Sequence, residues 1–117
     1  MIPSLFRFHG HNSLRYVYAN GKAIRTQLLT IKYVPNTHRT HPRFSIVVSK
    51  KVLKSAVGRN RIRRRLYEYL RPQIKDMPAV YDVVVIATSS EIRKMPATEL
   101  KDQLDQAFSK AELFNDR

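Results

Sequence analysis

The chain has 117 residues and a formal net charge of +13, which is enough length for a single domain (1–117) and too little for two ordinary cores. Apolar residues make up 43 % and charged residues 26 % of the sequence, values that are typical of globular proteins and exclude extensive disorder. The absence of cysteine excludes disulfides and cysteine-ligated metals. Because the longest apolar run is 83–87, we expect no membrane span. We also expect no secretory signal, so a cytoplasmic setting fits.

The first predicted element is a short helix that starts near Asn12 or Ser13, either of which is suited to cap it. The apolar positions that follow share one helical face and are Leu14, Val17 and Tyr18. Gly21 ends this helix, and a glycine at that position predicts a residue in the left-handed conformation.

Strands are predicted in the next segment of the chain. Residues 23–34 are predicted as one strand because the segment is rich in Leu, Ile, Thr and Tyr, and the apolar side chains alternate at Leu29, Ile31 and Tyr33. The polar loop 35–42 is bounded by two prolines and predicts a hairpin connection. It leads to a second strand over 43–49.

The second half of the chain is predicted to contain a helix, a strand and a helix. A helix over 56–70 ends before Pro72, and its apolar stripe is Ile62, Leu66, Tyr69 and Leu70. Residues 82–87 show no alternation, which predicts a strand buried on both faces. The last helix covers 98–113 with Thr98 as its cap, and its core stripe is Leu100, Leu104, Ala107, Phe108 and Ala111.

This order of elements predicts the α/β class, as a two-layer α/β sandwich in which helices cover a small mixed sheet. The unit that runs from strand 43–49 through helix 56–70 to strand 82–87 is long enough for a β–α–β crossover. Such crossovers are right-handed by default, so these residues alone predict a right-handed connection.

The charge is unevenly distributed along the chain. Residues 1–75 hold 17 Lys and Arg residues against one acid, whereas residues 76–117 hold 5 against 8 acids. Eight of the cations lie within 50–65, a stretch without any acid, and five of these eight are arginines between 59 and 65. Arginine binds phosphate with two parallel hydrogen bonds and stacks on bases, so the pattern favours a nucleic-acid partner.

The predicted helix 56–70 separates its polar and apolar residues. Opposite the apolar stripe lie Asn60, Arg64, Tyr67 and Arg71, and Arg61 and Arg63 flank that polar face. Gly58 is unfavourable in a helix interior by about 1 kcal/mol relative to alanine, which indicates a first turn or a close backbone approach. On the first helix, Leu14 and Tyr18 are candidates to line a groove with residues 27–33, where an exposed aromatic ring is suited to stack on single-stranded bases.

Two segments, 44–52 and 56–64, resemble the bacterial ribonuclease P protein subunit. They share with that family a strand ending in Ser-Lys-Lys (49–51) and a helix that carries Arg-Asn-Arg (59–61) with further basic residues. The resemblance continues more weakly over 13–21 and 81–87. Tyr67 and Gly58 depart from the family pattern, which often has a basic residue and a longer residue at these positions.

The resemblance implies a left-handed crossover and a complex with a catalytic RNA that removes the 5′ leader of precursor tRNA. The RNA subunit would perform the hydrolysis with Mg²⁺, and no cofactor is expected on the protein alone. The Arg-Asn-Arg helix would dock on the RNA subunit, and the implied RNA-binding residues are Lys50, Lys51, Lys54, Arg59, Asn60, Arg61, Arg63 and Arg64. The leader would lie in a groove between the first helix and the sheet, lined by Leu14, Tyr18, Leu29 and Ile31.

Two alternatives are open at this point. A protein-only nuclease would use paired histidines as acid and base or as metal ligands, and the candidates are His9 with His11 and His38 with His41. Carboxylates are absent near either pair in sequence. A non-enzymatic RNA-binding protein, such as a ribosomal protein, shares the charge pattern but leaves the order of Ser-Lys-Lys and Arg-Asn-Arg unexplained.

Overall fold

The computed structural model describes residues 11–36, 40–77 and 79–113. Their helices and strands are α1 (His11–Asn20), β1 (Lys22–Arg25), β2 (Leu29–Pro35), β3 (Arg43–Val48), α2 (Ala56–Leu70), β4 (Tyr81–Ala87) and α3 (Ala97–Ala111). Two short 3₁₀ helices, Arg71–Asp76 and Ser90–Arg93, follow α2 and β4. The side chains of the predicted caps Asn12 and Ser13 lie outside the described part of the chain. None of the described helices combines the length and the hydropathy needed to cross a bilayer.

The four strands form one mixed sheet in the order β1-β2-β4-β3. The stretch predicted as one strand over 23–34 is a hairpin, because Thr26 turns the chain: its hydroxyl accepts the N–H groups of Leu28 (3.3 Å) and Leu29 (3.2 Å). The hairpin predicted at 35–42 is wrong, since β4 lies between β2 and β3. The physical reason is the composition of β4, which is apolar on both faces and therefore occupies an inner position.

The predicted β–α–β crossover is confirmed. β3 and β4 are parallel neighbours, with Phe44 opposite Val83 and Ile46 opposite Val85, and α2 connects them. β2 pairs with β4 in the antiparallel sense, which makes the sheet mixed. The handedness of the crossover stays a prediction.

The larger core lies between one face of the sheet and the helices α2 and α3, which confirms the predicted α/β sandwich with helices that cover a small mixed sheet. All five residues of the predicted α3 stripe are buried. Thr98 is not the cap: α3 begins at Ala97 after Pro96, whose carbonyl oxygen accepts the N–H of Leu100 (2.9 Å). Proline has a fixed φ and no N–H of its own, so it starts the helix without a capping side chain.

A smaller core lies on the opposite face of the sheet, where α1 packs. Val17 of α1 and Val84 of β4 are fully buried there. Around them the partly buried apolar residues are Leu14, Val34, Val47 and Ile86. Because α1 covers only part of this face, an apolar floor remains partly exposed beside the helix.

One buried ion pair fixes the start of β3 against β4. Arg43 Nε lies 2.9 Å from Asp82 Oδ1 and Arg43 Nη2 lies 2.8 Å from Asp82 Oδ2, a bidentate geometry. Asn36 Nδ2 also donates to Asp82 Oδ2 (2.9 Å). Arg43 is therefore a structural cation and does not belong to the exposed basic surface.

The prediction for Gly21 is wrong, whereas the prediction that Gly58 marks a first turn is confirmed. Gly21 does not adopt a positive φ. A Cβ there would lie 2.6 Å from the Val17 carbonyl oxygen and 3.0 Å from that of Tyr33, so Gly21 permits close backbone packing of α1 on the sheet. Gly58 lies in the first turn of α2, and what approaches it is the chain's own Leu53 and Arg93.

Candidate RNA interface

The basic surface is built where β3 leads into α2. After Val48 the chain turns, with the N–H of Val52 donating to the carbonyl oxygen of Ser49 (3.1 Å). Ser55 then caps α2, since its hydroxyl accepts the N–H of Gly58 (3.0 Å). The three predicted lysines of this connection are all exposed, and they are Lys50, Lys51 and Lys54.

The polar residues of α2 divide into exposed and anchored groups. Asn60, Arg61 and Arg64 are exposed, as the helical period predicts. Arg59 is half-buried, because its Nη1 donates to the carbonyl oxygens of Leu53 (3.0 Å) and Lys54 (2.7 Å) and so holds the connection against the helix.

Arg63 and Arg65 show how neighbouring guanidinium groups take different roles. Arg63 donates to Asn60 Oδ1, a bond within the predicted RNA-binding set. Arg65 lies outside that set and is structural: its Nη1 and Nη2 donate to the carbonyl oxygens of Ile92 and Met95, each at 2.6 Å. No sequence pattern distinguishes Arg65 from the other arginines, because the difference comes from the segment packed beside it.

The predicted apolar stripe of α2 is correct at Ile62, Leu66 and Leu70, which are buried. Tyr69 is half-buried, and its hydroxyl donates to Asp105 Oδ1 of α3 (2.6 Å). The prediction that Tyr67 faces outward is wrong, since only 6 % of it is exposed and it belongs to the larger core. The buried arc of α2 is therefore wider than a single stripe.

The charges of the basic surface are not neutralised within the described ranges of the chain. The ion pairs found there are Arg43–Asp82 and Lys101–Asp105, and neither involves a cation from 50–65. Glu68 is the one acid on α2, and it makes no ion pair with an arginine of that helix in the described structure. Exposed like charges repel one another in a helix, so a polyanion that binds here relieves that repulsion.

The second candidate site is the face that α1 partly covers. Tyr18 is 39 % exposed at its edge, and Lys32 Nζ lies 5.1 Å from the centroid of the Tyr18 ring. Burial raises the pKa of Tyr18, so its hydroxyl keeps its proton at neutral pH. Leu14 is partly buried beside it, as a groove-lining residue requires. An aromatic ring and a cation thus share one surface.

The prediction that Leu29 and Ile31 line this groove is wrong. They are 1 % and 0 % exposed and lie in the larger core, on the sheet face that α2 and α3 cover. The neighbouring positions of β2 face α1 instead: Lys32 is paired with Val84 of the smaller core, and Thr30 is paired with Ile86. The correct lining residues lie one position away, because alternate side chains of a strand point to opposite faces.

The histidines and carboxylates form no metal-binding cluster in the described structure. His41 is exposed, whereas the predicted residues His9 and His38 and the side chain of His11 lie outside the described part. Within the described ranges, no three His, Cys, Asp or Glu residues lie close enough together to hold a metal ion.

Comparison with known proteins identifies the family. The model of the family described as Ribonuclease P matches residues 2–112. A ribonuclease P protein component from a Pseudanabaena species is 33 % identical over 115 residues, covering 98 % of each chain. One from Caldanaerobacter subterraneus is 33 % identical over 117 residues, covering 100 % of this chain and 98 % of that protein. These matches do not support the ribosomal alternative.

Solved structures agree in fold. The RNase P protein of Staphylococcus aureus superimposes with a TM-score of 0.84 at 24 % identity, covering 94 % of this chain and 98 % of that one. The Thermotoga maritima RNase P protein gives a TM-score of 0.77 at 21 % identity, covering 89 % and 96 %. From the match to the family model over nearly its whole length, the chain belongs to the ribonuclease P protein family.

Proposed function

We propose that the basic surface of α2 and of residues 50–54 binds the ribonuclease P RNA, while the groove beside α1 binds the 5′ leader of precursor tRNA. The family membership makes the chain a protein component of the ribonuclease P holoenzyme, which processes tRNA 5′ ends and in which the protein associates with RNA. We propose that this tRNA processing takes place in the cytoplasm.

One observation carries the proposal for α2. Exposed Arg61 and Arg64 share a surface with three exposed lysines, and none of these cations has an acid partner in the described residues. RNA phosphates would supply the missing negative charge, and each planar guanidinium group would donate two parallel hydrogen bonds to phosphate oxygens. The anchored Arg59 supports this surface from within, since it fixes the connection that carries Lys54.

The groove suits single-stranded RNA for a different reason. Bases stack on aromatic side chains, and backbone phosphates are attracted by nearby cations. Tyr18 and Lys32 provide both kinds of group within one contact. The partly exposed apolar floor of Val47 and Ile86 extends this surface toward the β3 edge of the sheet.

The protein is proposed to contribute affinity and not the chemical step. Hydrolysis is assigned to the RNA subunit with Mg²⁺ held by RNA phosphates, and no side chain of this protein is assigned to the metal. Cations of the protein would screen the repulsion between the phosphates of the two RNAs, and Mg²⁺ ions screen the same repulsion. The protein should therefore matter most when Mg²⁺ is scarce.

Reconstituted cleavage tests this function. Precursor tRNA is incubated with the ribonuclease P RNA at low and at high Mg²⁺, with and without the protein. We expect the protein to accelerate cleavage strongly at low Mg²⁺ and weakly at high Mg²⁺. Equal rates with and without the protein at low Mg²⁺, or cleavage by the protein without RNA, would contradict the proposal.

A further inference from the structure

A second basic feature lies beside α2, in a cleft of about 320 Å³. Arg61, Arg64, Arg65 and Glu68 line it from the helix, and Arg93 and Lys94 line it from the turn that follows β4. Five cationic residues thus surround one carboxylate. Arg93 and Lys94 belong to the acidic part of the chain, so the charge distribution along the sequence conceals their position beside the basic helix.

The backbone of this turn is held in place by the helix. Arg65 donates to the carbonyl oxygens of Ile92 and Met95 (2.6 Å each), and Arg61 Nε donates to that of Arg93 (3.3 Å). The N–H groups of Lys94 (3.2 Å) and Met95 (3.1 Å) close the turn on the Glu91 carbonyl oxygen. Carbonyl oxygens that would repel an anion are therefore occupied by arginine donors, and the turn presents its side chains from a fixed backbone.

Three cationic side chains of the cleft remain available. Arg64 and Lys94 are exposed and Arg93 is half-buried, and their side chains make no hydrogen bond or ion pair in the described parts of the chain. Arg65, by contrast, is engaged with the turn through both Nη groups, whereas the exposed Arg61 uses only Nε and keeps its two Nη groups for an anion. The cleft thus separates cations that build it from cations that are free to bind an anion.

Gly58 leaves space for the Arg93 guanidinium against the first turn of α2. A Cβ at position 58 would be 3.1 Å from Arg93 Nη1 and 2.5 Å from Leu53 Cδ2, so a larger residue would require these side chains to shift. The first turn of a helix carries the positive end of its dipole, which disfavours a cation and favours an anion. Arg93 is held at a position that an anion would stabilise.

We propose that this cleft binds a backbone phosphate of RNA and carries the RNA interface from α2 across to Arg93 and Lys94. The inference rests on the proposed function and extends it to a segment outside the Arg-Asn-Arg helix. Phosphate is the expected ligand because arginine and lysine side chains converge on one small polar cleft. The phosphate belongs either to the ribonuclease P RNA or to the precursor tRNA.

The test compares three double variants. Arg93→Ala with Lys94→Ala removes the cations of the cleft, and Lys50→Ala with Lys51→Ala is the reference for the basic surface. Lys101→Ala with Lys110→Ala removes the same charge from α3 and is the control. Affinity is measured against KCl concentration in two arms, protein with ribonuclease P RNA and holoenzyme with precursor tRNA. Thermal melts verify folding. If the alanine pair does not fold, Arg93→Gln with Lys94→Gln, which keep longer stems, takes its place.

We expect the Arg93/Lys94 variant to reduce the slope of log affinity against log salt by about 0.7–0.9 in one arm, the change for one lost phosphate contact. The arm that changes identifies the source of the phosphate. The α3 control should change neither slope. If only the Lys50/Lys51 variant weakens binding, the proposed function stands and the cleft is overturned. If neither that variant nor the Arg93/Lys94 variant weakens binding, both proposals fail.

Discussion

Lys32 Nζ lies 5.1 Å from the centroid of the Tyr18 ring, and this contact joins the last turns of α1 to the second strand of the sheet. The ammonium group lies over the ring, where the negative face of the aromatic system attracts it. It fixes the orientation of a ring that is still 39 % exposed. The contact therefore prepares an aromatic surface and a phosphate-attracting charge at the same place.

Replacement of Tyr18 by alanine should weaken binding of precursor tRNA by about 1–3 kcal/mol if one leader base stacks on the ring. Mature tRNA, which has no leader, should bind equally well to both holoenzymes. Tyr18→Phe keeps the ring and should retain the affinity. The measurement is equilibrium binding of the two tRNA forms to holoenzyme assembled with each variant. Equal losses for both tRNA forms would place Tyr18 outside the leader site.

Tyr69→Phe tests the contact that ties α2 to α3. The lost hydrogen bond to Asp105 should lower stability at neutral pH by about 0.5–1.5 kcal/mol, a figure reduced for the partial exposure of the carboxylate. Burial alone would raise the pKa of Asp105, but hydrogen bonds from Tyr69 and Lys101 outweigh it and hold the pKa below its ordinary value of 3.8.

The sign of the pH effect follows from that lowered pKa. A carboxyl group with a depressed folded-state pKa stabilises the protein above its unfolded pKa, and the contribution is lost as the pH falls through the folded pKa. The stability gap between the wild type and Tyr69→Phe should be full at pH 6 and should shrink below about pH 4. Urea denaturation at both pH values measures it, with Tyr16→Phe, an exposed tyrosine, as the control. A gap that is independent of pH would refute the role of Asp105.

The two packed glycines should respond differently to alanine. Gly21→Ala brings Cβ to 2.6 Å from the backbone oxygen of Val17, which moves only if α1 shifts on the sheet, so we expect a loss of about 1–3 kcal/mol. At Gly58 the nearest atoms are the ends of the flexible Leu53 and Arg93 side chains, so the loss should be smaller. Thermal denaturation of both variants decides this, and a Gly58→Ala protein less stable than Gly21→Ala would contradict it.

The elements with strong local patterns could be predicted from the sequence. The helix over 56–70 has the predicted bounds, because its apolar period and the proline beyond its end agree. The strand over 82–87 occupies an inner position because both of its faces are apolar. The helical period of α2 likewise predicts that Arg61 and Arg64 are exposed, as they are.

Other features depend on contacts between distant segments. The alternation along β2 defines two faces but does not indicate which of them α1 covers, so the sequence alone predicts the wrong face for Leu29 and Ile31. The structural role of Arg65 depends on the turn at 92–95 and that of Gly58 on Arg93. The strand order likewise follows from the sheet as a whole and from no single segment.

The affinity of an Arg61→Ala with Arg64→Ala protein for the ribonuclease P RNA tests directly whether α2 binds that RNA. Both residues are exposed on α2, and the one hydrogen bond that Arg61 makes to the turn is exposed and long (3.3 Å), so the free energy of unfolding should change by no more than about 0.5 kcal/mol for each substitution. The Lys101→Ala with Lys110→Ala protein, which loses the same charge from α3, serves as the control. We expect weakened RNA binding and a shallower salt dependence for the Arg61/Arg64 variant and no change for the α3 control. Unchanged RNA affinity in an Arg61/Arg64 variant that melts like the wild type would contradict RNA binding by α2.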